Sequence, residues 1–471
     1  MTRTVRNSLI VVAVLILAYP AAAWLLGLMV EHNWEEREQH GLQQIPGYAQ
    51  YVTIVKRDYR RGVYGATEEV TFRLGEKLRK AIRSSGNADW TDHVQFVVRN
   101  TIHHGPLPQL RDFAPATVDT EWTLPPEIHD KLLAAFKGKA NLTIHTRMNW
   151  LGGSTTLVRS PAFNQPLEKV ASIDWRGLDA RLVAGREIGS GSVNLTSPGL
   201  TLKTEKGVTV GYQDLKLDST LQPAYEVLNI GDLKLVLGQL QIEDANKPFK
   251  LTAHNLAFES HSHLNGEFVD ADGGLTVEAV QVNTFDTSHI NYAVRLTHIH
   301  GPAAAALTKA LRAEQSDTPD TATPQEAAAA NMKRLADAFK GPGVDLLAKE
   351  PVVDITHLGF AMPEGALDIS LKASMPGVTK EDFQGAPDAI KTAFVKHLQM
   401  SADIRIDTAM LDKLLESTGK GENAAAQLQG LQSQGYIKLD GKALTTHLTY
   451  LGGQLKVNDH PFPPRPPGAP Q

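Results

Sequence analysis

Cysteine is absent from all 471 residues, and that one absence removes disulfide staples, thiolate metal sites and cysteine nucleophiles together. Aromatic residues are scarce, at 6%, so a core must be assembled mainly from aliphatic side chains. A basic excess is also missing. The 47 Lys and Arg against 52 Asp and Glu leave a net charge of −5, which offers no positive field to nucleic acid. There is no G-x-S-x-G elbow, no phosphate-cradling G-x-x-x-x-G-K, no H-E-x-x-H and no dinucleotide fingerprint. Nothing in the chain therefore names a reaction.

One long apolar run stands out. Leu9 to Val30 contains no charged residue, and at ~1.5 Å per residue a helix of that length reaches ~33 Å, enough for one bilayer crossing. Arg3 and Arg6 precede it, while Glu31, Glu35, Glu36 and Glu38 follow around a single Arg37. The positive-inside rule then places residues 1–8 in the cytoplasm and the body in the periplasm, on a single-pass anchor in the inner membrane. A cleaved signal peptide is the competing reading, with Leu9 to Tyr19 as its apolar region and Ala21-Ala22-Ala23 as its cleavage site. The apolar stretch Trp24 to Val30 beyond that site argues for retention. Both readings export the remainder.

Past the anchor the pattern is that of an α+β protein, mainly β, with antiparallel strands and short helices. Tyr51 to Tyr59 and Val70, Phe72 and Leu74 read as a strand pair, Val94 to Thr101 as the next strand. Asp58, Glu68 and Glu69 read as solvated strand or turn residues. Pro125-Pro126 starts a helix that Gly138 ends, and Leu142 to Trp150 and Ser154 to Val158 form a hairpin through Gly152-Gly153. From Ile173 to Phe258 the signal is almost purely β. Val208, Val210 and Tyr212, then Leu215 and Leu217, then Leu228, Ile230, Leu233, Leu235 and Leu237, then Leu240 and Ile242 alternate with polar residues. That means one dry face and one wet face.

The pattern changes at Gly301-Pro302. Ala303 to Arg312 is helix-prone, and a capping box at Thr323 to Glu326 opens a helix with Met332, Leu335, Ala336 and Phe339 on one face, closed by Gly341-Pro342-Gly343. Val352 to Phe360 and Ala366 to Ala373 make a hairpin. Pro387 to Leu398, Thr408 to Leu415 and Ala424 to Gln432 read as short helices. A meander follows: Tyr436 to Leu439, Ala443 to Tyr450 and Leu455 to Val457, turning at Asp440-Gly441 and Gly452-Gly453. Residues 461–471 read as a loose, proline-rich tail, so truncation after Val457 is expected to be nearly silent.

Internal echoes organise this list. Val98 to Pro106, ending His-His-Gly-Pro, returns as Val294 to Pro302, ending His-Ile-His-Gly-Pro. Ala-Phe-Lys-Gly closes a helix at Gly138 and again at Gly341, and Trp150-Leu151-Gly152-Gly153 recurs as Tyr450-Leu451-Gly452-Gly453. The order favours two related β-rich halves, 31–300 and 301–460, although turn chemistries are few enough for similar hairpins to share residues.

Tyr59 to Tyr64 soon after the apolar run, the His-Gly-Pro after a strand, Asp174-Trp175-Arg176-Gly177-Leu178 and the closing Gly-Gly-Gln-Leu-Lys-Val-Asn resemble the YdgA-like family (DUF945) over nearly the whole chain past the anchor. The resemblance implies an envelope protein anchored in the inner membrane of a Gram-negative bacterium. It implies no reaction and supplies no catalytic or binding residues.

Histidine is the one chemical hint. His261 and His263, like His298 and His300, are spaced to project from one strand face, as a metal site can require. No carboxylate sits at a telling spacing beside them, and His103 and His104 must point to opposite faces. No catalytic residue, metal site or cofactor is expected. The expectation is a non-enzymatic periplasmic protein that binds lipid or envelope components, with Leu233, Leu235, Leu237 and Leu240 near an apolar cleft. A structural or assembly scaffold of the envelope is the alternative, and a metal-assisted hydrolase on the histidine pairs the third reading. The expected partners are the membrane, a lipid or an envelope protein, with self-association open and nucleic acid excluded.

Overall fold

The computed structural model describes residues 19–32, 51–77, 79–80, 95–123, 142–167, 170–204, 207–225, 227–283, 285–313, 338–383, 389–417 and 421–462. The chain is mainly antiparallel β and divides into two compact units. The first is built on residues up to Leu202 with Thr220–Pro223. The second is built on Lys203–Ser219, Ala224–Leu311 and the C-terminal part of the chain. The division thus falls near Lys203, and the strands between it and Gly301 group with the C-terminal elements.

In the first unit β1 (Val52–Arg61), β2 (Gly65–Leu74), β3 (Gln95–His104), β4 (Ala116–Thr123), β5 (Thr143–Met148) and β6 (Ser154–Ser160) pair in order as an antiparallel meander. The hairpin of β7 (Phe163–Leu167) and β8 (Val170–Trp175) precedes β9 (Leu178–Ala184), which pairs with β6 and with β10 (Gly191–Lys203). Alternation of the residues decides the inner face, since Ala66, Glu68 and Val70 of β2 are buried while Thr67 between them is exposed. Glu68 is therefore not a solvated residue: its side chain has no accessible surface, held by Arg57 Nε at 2.7 Å and Asn100 Nδ2 at 2.7 Å. The pattern reads Glu68 as polar and hence outward, yet its parity places it inward, and the cross-strand donors Arg57 and Asn100 compensate its lost hydration.

Helix α1 (19–32) is the described part of the apolar run. Residues 9–18 lie outside the described residues, and among the described residues no helix is long and apolar enough to cross a membrane. One side of α1 is closed against the first sheet, with Ala23 and Val30 fully buried. Val30 joins Ala66, Ile102, Ala116 and Val118 in the core of this unit, with Tyr59 and Met148 against it. The opposite side leaves Trp24, Leu25, Leu28 and Met29 exposed.

The second unit carries the long strands. After β11 (Val208–Tyr225), β12 (Leu228–Asp244), β13 (Phe249–Asn265), β14 (Phe268–Val282), β15 (Phe285–His300), β16 (Val352–Met362), β17 (Gly365–Ser374) and β18 (Gln399–Asp407) pair consecutively, all antiparallel. β20 (Ala443–Leu451) adds to β18, and its other edge is shared by β19 (Lys438–Asp440) and β21 (Gln454–Val457). Helices α2 (Gly301–Ala313), α3 (Ala389–His397), α4 (Thr408–Ser417) and α5 (Gly421–Ser433) match the helix-prone runs. A small core of Val344, Met375, Val378, Phe383 and Ala393 seats α3. Beneath it, Asp382 accepts from Lys396 Nζ at 2.8 Å and from the backbone and hydroxyl of Thr379, which holds its carboxyl well below the usual carboxylate range.

Gly341 leaves helical backbone (φ −107°, ψ −110°) ahead of Pro342, so the chain breaks direction at Gly341-Pro342-Gly343, and the short helix Val344–Leu347 follows. One expectation fails at a segment end: the chain is not loose from residue 461. β22 (His460–Pro461) pairs back on β21, and Phe462 packs edge-on against Tyr436. The helix expected over 125–138 and the one opening at Thr323 lie outside the described residues.

Candidate functional site

The long strands place their aliphatic residues in register. Residues directly opposite in an antiparallel pair share a face, so the pairings define rows across the sheet. One row runs Leu235, Phe258, Leu275, Tyr292, Leu358, Ile369, Ile404 over seven strands. Six spacings of ~4.8 Å make it ~29 Å wide. Leu237, Leu256, Val277 and Ile290 flank it on one side. On the other, Leu233, Ser260, Gly273 and Val294 form a row lowered in the middle, because Ser260 and Gly273 carry little or no side chain.

The face is not sealed. Leu233, Leu235, Leu237 and Leu240 are all half-buried, while Phe258 is 36% and Leu358 41% exposed. Of the long strands β12 to β15, only Thr252, Ala253 and Val277 are buried. On the reverse face, Lys234 pairs with Glu259 at 2.6 Å and Asp232 accepts from His261. The hydrogen bond and charge of Asp232 raise the His261 pKa above its ordinary value.

Midway along, the apolar phase slips by one residue in β12, β13 and β14, from Leu237 to Leu240, from Ala253 to Leu256, from Val277 to Val280. At that level Asp214, Asn255 and His289 adopt positive φ (54°, 49° and 50°), and Gly238 lies 3.1 Å from the Asp214 Cβ measured from where its own Cβ would be. Asp, Asn and His are among the residue types that tolerate the left-handed region best. In β13 the left-handed Asn255 interrupts the alternation between Ala253 and Leu256, so both stay on one face together with the residues directly opposite them in β12 and β14. Leu240 accordingly continues the row toward Ala253 and Val280.

The histidine pairs divide. His261 and His263 do share a face, ring centroids 5.6 Å apart, and Asp232 pairs with His261. His298 stacks on Phe268 at 4.0 Å, and His300 meets the edge of the same ring at 5.7 Å. Among the described residues no three His, Cys, Asp or Glu side chains converge as a metal site. Cross-strand His–Asp pairs recur instead, His145–Asp119 at 2.8 Å, His357–Asp368 at 2.7 Å and His447–Asp403 at 2.7 Å. These partners are invisible to spacing in the sequence because only strand register brings them together.

His104 is the residue that spacing undervalued. It is buried, and its Nδ1 donates to the Ala23 carbonyl at 2.9 Å, so the proton sits on Nδ1. Its Nε2 has no hydrogen-bond partner among the described residues. Burial pushes its pKa below the ordinary 6.5. Gly27 lies against the ring, where a Cβ would fall 2.6 Å from Cε1, and a Cβ on Gly105 (φ +139°) would fall 3.2 Å from the Tyr19 hydroxyl. The glycine inside the apolar run and the His-Gly pair after β3 were the legible signals. The echo at His300-Gly301 differs, because Gly301 begins α2 and lies against the Tyr225 ring.

The family model for a bacterial protein of unknown function, DUF945, matches residues 1–465. The chain belongs to the DUF945 family. None of the curated proteins and none of the solved structures matches it. For a DUF945 chain the family thus supplies no reaction or ligand, and the geometry has to carry the functional reading.

Proposed function

We propose that this chain is a non-enzymatic protein tethered to the inner membrane, whose periplasmic second unit holds a lipid or another apolar envelope component on the row of Leu235, Leu237 and their cross-strand partners. The observation that supports it is an apolar sheet face, ~29 Å wide at ~4.8 Å per strand, on which Phe258 and Leu358 stay more than a third exposed. Contiguous exposed apolar surface of that extent is uncommon on a protein that binds nothing. The uncharged apolar residues Leu9 to Ala18, ahead of α1, support a tether, and a tether makes lipid the most abundant apolar ligand within reach.

A photo-crosslinker at Leu235 or Leu237 in cells is expected to capture lipid, while the same group at Lys234, on the reverse face, is not. Capture of protein alone at Leu235 and Leu237 would replace this reading with that of an envelope scaffold.

A further inference from the structure

The first unit has a second exposed apolar surface, at one end of its sheet. The last pairs of three hairpins, Arg61 with Ala66, His104 with Ala116 and Met148 with Ser154, lie side by side, so their turns project from the same end. Those turns carry Tyr64 (53% exposed), Leu107, Leu110 (79%), Phe113 (67%), Trp150 and Leu151 (84%). They are tied together: Phe113 meets Trp150 at 5.2 Å, and Arg147 Nη2 donates to the Phe113 carbonyl at 2.9 Å. Gln109 and Leu110 sit at φ 52° and 56°, a conformation bulky residues adopt only at a cost. Backbone strain is thus accepted to hold a leucine out into solvent.

The described part of α1 starts at this end. The Tyr19 hydroxyl donates to the Leu107 carbonyl at 2.7 Å and its ring stacks on Tyr64 at 6.0 Å. The uncharged apolar sequence Leu9 to Ala18 runs directly into Tyr19, which sits beside these turns.

We infer that the turns carrying Tyr64, Leu107, Leu110, Phe113, Trp150 and Leu151 form a membrane-contacting crown that inserts into the lipid interface around the N-terminal tether. Tyr and Trp with aliphatic neighbours are the composition favoured at the headgroup level. The crown fixes how the first unit stands on the bilayer, whereas a bare anchor would leave it free to tumble. This inference rests on the tether reading but not on the lipid-binding row of the second unit.

The chain has no cysteine, so single cysteines can report position. Leu110→Cys, Leu151→Cys and, as a control, the exposed Leu439→Cys of the second unit would each carry an environment-sensitive dye on the full chain, in vesicles of phosphatidylethanolamine and phosphatidylglycerol. Flotation with the vesicles reads the tether. Blue-shifted emission at 110 and 151, lost when brominated acyl chains are included, with neither effect at 439, is the result expected. Flotation with labels at 110 and 151 as aqueous as the one at 439 would overturn the crown and leave the tether standing. Failure to float would overturn both. Unchanged melts of the labelled chains confirm that the fold is intact, as the exposure of both side chains leads one to expect.

Discussion

At the scale of single residues, the contact of His104 with α1 shows how a small number of atoms commits an apolar segment to the body. The imidazole occupies the space above Gly27, and its Nδ1 proton answers a helix carbonyl. Gly27→Ala must displace the ring, and overpacking of this kind costs about 1–3 kcal/mol, to be read as a lowered denaturation midpoint. His104 is neutral in the fold with its pKa depressed by burial, while in the unfolded chain it protonates near 6.5. Stability is therefore complete above pH ~6.5 and is lost as pH falls through the lower folded value. Melts between pH 8 and 5 should decline more steeply for the native chain than for His104→Asn, which keeps a donor but cannot protonate; equal slopes would show that His104 is not the group responsible.

At the scale of elements, turn chemistry and strand parity account for most of what the chain does locally. Gly452 and Gly453 take φ of 56° and 80°, the positive pair that a two-residue hairpin between β20 and β21 demands. A Cβ on Gly453 would also meet Val395 Cγ1 at 3.0 Å. Gly453→Val should accordingly cost on the order of 1–3 kcal/mol, checked by chemical denaturation, since a β-branched residue is strained at that φ. The line of left-handed residues across the long strands is the same logic applied within a sheet. In β13 the slip of the apolar pattern coincides with the left-handed Asn255, and β12 and β15 carry Gly238 and the left-handed His289 at the same level.

At the scale of the whole molecule, the C-terminal edge shows local composition overruled by packing. Asn458 is buried; its Nδ2 reaches the carbonyls of Gly435 and Tyr436 at 3.2 and 3.0 Å, and its Oδ1 accepts from His447 N at 3.0 Å. The Tyr436 hydroxyl donates to the Pro461 carbonyl at 3.1 Å. Truncation after Val457 is thus expected to be destabilising by about 2–4 kcal/mol, from the loss of the hydrogen bonds of the buried Asn458 at about 1 kcal/mol each. Truncation after Phe462 should be nearly silent, and comparison of the two melts decides between them.

By itself the sequence determined the period-two strands, the glycine turns, the short helices after Gly301 and the family, because alternation and positive φ are properties of a few neighbouring residues. Only the tertiary structure decided that Glu68 is buried, that His261 answers Asp232 twenty-nine positions away, that Asn458 closes the C-terminal edge and that α1 lies on the first sheet. Each of those depends on which strand stands beside which. Register is set by long-range pairing and by what covers a face, and neither leaves a mark in local spacing.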